Sequence, residues 1–228
     1  MIFLEASDYF NRNPDILARS VVNRLSVVSV EDFEKYTFDK EQELRVEIER
    51  LKKEEENLQI SAASIKENIR LSSAWGNNEI KEMMSIEKKQ KLMEQRNERV
   101  ITKFNQLLSD IQTNKIDDEN LSIKKRIDNK IKVPLTELNE RYIPLALQLS
   151  LEVRNLEKID KKIDILNELQ KLQKNIIFQY SEILKSMLKW EGYYETVGLL
   201  KEIIKEQKDL KDKTETKTKE NIKGVFDE

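Results

Sequence analysis

The chain has no cysteine and no histidine among its 228 residues. Disulfides, zinc sites and cysteine nucleophiles are thereby excluded, and the commonest general base is missing. Glycine is held to 4 residues and proline to 3, too few turn formers for a sandwich or barrel of this length. No apolar run reaches the ~18 residues that mark a membrane-spanning helix. No block of one charge sign occurs either, since 41 basic residues stand interspersed with 43 acidic ones for a formal net charge of −2. That balance gives a phosphate backbone no electrostatic footprint, so nucleic acid is not an expected partner. Met1 to Ala6 is apolar but has no basic leader and no proper apolar core, and it does not read as a signal peptide.

What remains is a chain rich in helix formers. Charged residues make up 37% and hydrophobic ones 38%, and the charged share exceeds the usual quarter of globular domains. Long helices that bury a narrow stripe and solvate the rest have this composition. The expected fold is mainly α: long antiparallel helices in a coiled-coil hairpin and a helical bundle, after a short N-terminal β-hairpin.

Residues 1–30 stand apart from the rest. Ile2 to Ala6 and the β-branched run Ser20 to Val28 flank a turn-prone cluster at Asn11, Asn13 and Pro14. Two strands of a hairpin are the direct reading. A helix over Asp15 to Asn23, started by Pro14, is the alternative. An isolated hairpin is marginal in water, so this pair reads as the remnant of an upstream β domain.

Ser29 with Asp32 three residues on fits a capping box and predicts a helix start. From Leu44 a heptad runs through two stripes. One is Leu51, Leu58, Ile65, Ile86, Met93, Val100 and Leu107; the other is Ile48, Glu55, Ala62, Ile69, Met83, Gln90, Asn97, Phe104 and Ile111. Spacings of three and four alternate, the pattern of a left-handed coiled coil. The stripe fails at Ser72, Gly76 and Glu79, inside the breaker cluster Ser72 to Asn78. An antiparallel helical hairpin over 31–113, turning at Trp75 to Asn78, follows. The unbroken phase leaves one continuous helix as the alternative.

Further helices over 114–212 complete the expected bundle. The third carries Ile123, Ile127, Ile131, Leu135, Leu138, Tyr142, Leu145 and Leu149 on one face, and Pro134 and Pro144 should bend or interrupt it. The fourth, about 161–189, carries Leu166, Leu169, Leu172, Ile176, Tyr180, Ile183, Met187 and Leu188. Trp190 to Tyr194 is a candidate turn before a last helix with Val197, Leu200, Ile203, Ile204, Gln207 and Leu210. Residues 213–228 are charged and poor in apolar side chains, the composition of a disordered tail.

Glu54 to Glu56 fan across a helix surface rather than converge on an ion, and Asp117 to Glu119 sit where a helix start favours carboxylates. Met83, Met84 and Met93 read as core filler. No glycine-rich phosphate loop, nucleophile elbow or metal triad is present, so no cofactor and no enzymatic activity are expected. Trp75, Trp190, Tyr193 and Tyr194 are aromatics beside chain breaks. They are candidates to anchor a protein partner, set against the commoner role of closing a core over a turn.

The run Met187 to Leu210, with its Gln207-x-x-Leu210 close and the charged segment to Thr214, resembles the end of a helical module found in large uncharacterised multidomain proteins of planctomycetes and related bacteria. Ile2 to Asp8 is similar to a late strand of the immunoglobulin-like repeats of those proteins. Val133-Pro134-Leu135 and Ile143-Pro144-Leu145 resemble the module's proline-marked helix. The resemblance implies a cell-envelope or periplasmic, membrane-tethered parent with a structural role and transfers no catalytic residue. Without it, the expected location is cytoplasmic. The expected function is a non-enzymatic helical spacer or scaffold; the alternative is a regulatory adaptor that binds a partner helix through its apolar seam, or self-associates through it.

Overall fold

The computed structural model describes the backbone of residues 5–6, 18–19, 29–115 and 122–226, with side chains over 29–115 and 123–215. Glu5–Ala6 (β1) and Ala18–Arg19 (β2) pair antiparallel, Glu5 opposite Arg19. The rest of the expected hairpin, Ser20 to Val28 included, lies outside the described residues.

The body of the protein is mainly α. Helix α1 spans Val30–Ser72 and α2 spans Asn77–Asn114. Ser29 caps α1 by accepting the Asp32 backbone N–H at 3.0 Å, as its spacing predicts. The hairpin turns at Ser73–Gly76, so Gly76 does not lie within a continuous helix. The left-handed residue there is Ser73, at φ 49°, rather than a glycine or asparagine. Its N–H closes on the Ile69 carbonyl at 2.9 Å. Gly76 is extended and starts α2, and the Glu79 carboxylate accepts its N–H at 3.0 Å. Both heptad stripes are buried on either side of this turn, from Leu44 to Ile69 and from Met83 to Ile111.

A third rod covers 122–155. It comprises α3 (Ser122–Ile127), a π turn (Asp128–Lys132), α4 (Val133–Glu137), a second π turn (Leu138–Tyr142) and α5 (Ile143–Asn155). Each π turn ends directly before Val133-Pro134 or Ile143-Pro144. A proline ring clashes with the carbonyl four residues back. Widening the preceding turn by one residue relieves that clash without breaking the rod. The expected interruption therefore becomes two bulges. They also move the buried face: after Leu138 the next buried residue is Ile143, then Ala146, Leu149 and Val153. Leu145, expected inside, is exposed.

Helix α6 runs unbroken over Ile159–Phe226. Its first half packs on α1 and α5, burying Leu166, Leu169, Gln173, Ile176, Tyr180, Ile183 and Met187. Gln173, not Leu172, takes the central seam position, and Leu188 is exposed. The candidate turn at Trp190 to Tyr194 is helical instead. Glycine in a helix costs only about 1 kcal/mol against alanine, and neighbouring side chains grip this stretch. Residues 213–226, expected as a tail, carry helical backbone. No helix among the described residues is long and apolar enough to cross a membrane.

Candidate interaction surface

The four aromatics singled out in the sequence lie at two ends of the bundle. Trp75 is half-buried in the α1–α2 turn, with the Lys162 ammonium 4.0 Å from its ring centroid. Lys162 also donates to the Val153 and Arg154 carbonyls at 2.7 and 3.4 Å, closing the C-terminal end of α5. Burial holds its pKa below the ordinary lysine range. Trp75 thus covers an end of the core.

Trp190, Tyr193 and Tyr194 gather at the other end, roughly 45 Å away along α1 at 1.5 Å per residue. Tyr194 stacks on Phe38 with ring centroids 4.4 Å apart, and the Arg126 guanidinium lies 4.3 Å from the Trp190 ring. Arg126 also donates to buried Glu41 at 2.5 Å. Desolvation pushes the Glu41 carboxyl up from its ordinary value, against the opposing charge and hydrogen bond of Arg126. Arg45 donates to Glu191 at 2.8 Å. Beside these contacts a cleft of about 340 Å³ opens between α1, α3 and α6, with Phe38, Ile123, Trp190 and Val197 among its walls. Its rim carries Glu31, Glu34 and Lys201.

Between the two ends runs a buried polar layer that the sequence marks only as polar residues at seam positions. Gln90 donates to Glu55 at 3.1 Å. Tyr180 donates to the Asn97 side-chain oxygen at 3.2 Å, and the Asn97 amide donates to the Leu135 carbonyl at 2.9 Å. Desolvation pushes the Glu55 carboxyl up to about 7, and burial raises the Tyr180 phenol. This layer ties α1, α2, α4 and α6 together. Among the described residues no group of histidine, cysteine or acidic side chains could hold a metal ion.

Past Tyr194 helix α6 leaves the bundle. Lys201 still reaches Glu34 at 3.2 Å, but every residue from 198 to 215 is exposed. Five are large aliphatics: Leu199 62%, Leu200 54%, Ile203 49%, Ile204 64% and Leu210 66% exposed. At 100° per residue they share one half of the helix with Gln207, and Lys201, Glu202, Lys205, Lys208 and Asp209 share the other. Trp190, Tyr194 and Lys201 mark the side of α6 turned to the bundle, and the aliphatic half is rotated roughly 140° from them. The sequence shows this stripe as the spacing of its last helix, but not that it points away from the core.

No protein-family model, curated protein or solved structure matches the chain. The likeness to the planctomycete module therefore rests on the quoted residues alone.

Proposed function

We propose that the protein is a non-enzymatic interaction module, a rigid helical bundle that holds the outer half of α6 out as a docking arm. One observation carries the reading. Leu199, Leu200, Ile203, Ile204 and Leu210 form an exposed apolar stripe, interrupted by Gln207, that no element among the described residues covers. Contiguous exposed apolar surface is a mark of association sites. The seam over 44–111 is packed by the protein's own helices, which favours the arm over the seam as the docking surface. A spacer role remains compatible, since α6 alone spans roughly 100 Å at 1.5 Å per residue.

The test is site-specific photo-crosslinking in the native cells, with the probe at Ile204 on the stripe or at Glu202 on the opposite face. The reading expects protein adducts from position 204 in excess over position 202. Equal yields from both positions would overturn it.

A further inference from the structure

The arm carries a seam that fits itself. Counting 3.5 residues per turn, Leu200, Ile203, Gln207, Leu210 and Thr214 occupy alternating a and d positions. Leu199 and Glu206 then flank the seam at g, and Ile204 and Lys211 flank it at e. We propose that this stripe pairs with its counterpart on a second copy of the chain, as a parallel, in-register two-helix seam. This rests on the docking-arm reading and names its partner.

Three features favour a second copy in this orientation. Thr214 closes the seam, and Gln207 is the polar residue set between Ile203 and Leu210. Parallel and in register, it meets the partner's Gln207, and two amides satisfy each other; offset or antiparallel, it faces Ile203 or Leu210. A polar a residue flanked by aliphatic d residues sets register and orientation in this way. The flanks are complementary too. In a parallel pair a g residue meets the following e residue of the partner, which sets Glu206 against Lys211 and Leu199 against Ile204. Opposite charge meets opposite charge, and aliphatic meets aliphatic. Finally, the stripe faces away from the bundle, so two bundles lie on the outside of the pair without collision.

The mixed-sign polar face, Lys201, Lys205 and Lys208 with Glu202 and Asp209, argues against an anionic lipid surface as the occupant, because such helices carry a face rich in basic residues alone. A seam of about two heptads is short, and the association is weak by the measure of interface size.

The absence of cysteine makes the test direct. The full chain is measured by light scattering on the order of 100 μM, well above a micromolar Kd. The expected result is a dimer that Leu200→Glu with Ile203→Glu converts to monomer. The unchanged melt of that variant confirms that its bundle still folds. Gln207→Cys is expected to form an intermolecular disulfide under mild oxidation at least tenfold faster than Glu202→Cys. A monomer at that concentration overturns the proposal, as does a dimer in which position 207 does not crosslink faster than 202. So does a dimer untouched by the double substitution, or a monomer that floats with phosphatidylserine vesicles. A monomeric chain that still gives excess adducts to another protein from position 204 overturns the second copy and leaves the docking arm standing; failure of both measurements removes both readings.

Discussion

Glu55 on α1 and Gln90 on α2 meet at 3.1 Å in the interior of the bundle, neither side chain reaching solvent. The second carboxylate oxygen of Glu55 has no hydrogen-bond partner. A buried carboxylate so placed favours its protonated form. Its pKa is about 7 in the fold, against about 4.3 in an unfolded chain. The folded state therefore holds a proton that the unfolded state has released. The stability this contributes is full below about pH 4 and is lost as pH rises through 7. The melting temperature should fall between pH 5 and pH 8, by the equivalent of about 3 kcal/mol from this group. Glu55→Gln should abolish most of that slope and melt higher at pH 8. Parallel slopes for the two proteins would show that Glu55 is not the titrating group.

Tyr180→Phe removes the donor to Asn97 and leaves a buried amide oxygen unpaired. A loss of about 1–2 kcal/mol is expected by urea titration. Asn97→Ala on top of it should cost less than the sum of the two single changes, because the pair acts as a unit. Strict additivity would separate the two side chains energetically.

The second π turn makes a register prediction. Ile143→Ala should cost about 2–4 kcal/mol as a core truncation, whereas Leu145→Ala should stay within about 0.5 kcal/mol as a surface change. Leu58→Ala and Ile65→Ala belong with Ile143→Ala. A larger loss at Leu145 than at Ile143 would restore the uninterrupted α spacing.

Gly192 and Gly198 are helical, and a Cβ at either meets nothing within 4 Å. Alanine at each should gain roughly 0.5–1 kcal/mol of helix stability. Circular dichroism should show no loss of helix and a higher melting temperature for the pair. A lower one would restore the turn that Trp190 to Tyr194 suggests.

The hairpin was the most legible part. Leu44 to Ile69 and Met83 to Ile111 keep strict three-four spacing, and the side chains at those positions are buried. Ser29 with Asp32 marked the helix start. The third rod was harder to read, because a π turn leaves the residues unchanged and alters only the count between them. Leu145 looks inward under α geometry, and only the added residue in the turn exchanges it for Ala146, as it exchanges Tyr142 for Ile143. The helix through Gly192 was hidden for another reason. Its breaker is local, but the contacts that override it, Arg126 with Trp190 and Tyr194 with Phe38, join segments far apart in sequence. The four aromatics Trp75, Trp190, Tyr193 and Tyr194 stood out in the sequence, but their division between two ends of the bundle did not. The stripe of the last helix was visible as spacing; its direction needed the bundle.

The two bulges before Pro134 and Pro144 have a bearing on how such a chain can change its length. Each holds one residue more than the rod needs. Loss of one residue at Asn139 would shorten the step from Leu138 to Ile143 to an ordinary helical spacing of four. Every side chain downstream would keep its face, and only the proline ring would be left crowding a carbonyl. A deletion anywhere in α5 would instead rotate the remainder of the rod by about 100° and turn Val153 out of the core. The third rod can thus absorb a one-codon deletion at two defined points and at few others, and insertions that survive in it should collect immediately ahead of a proline.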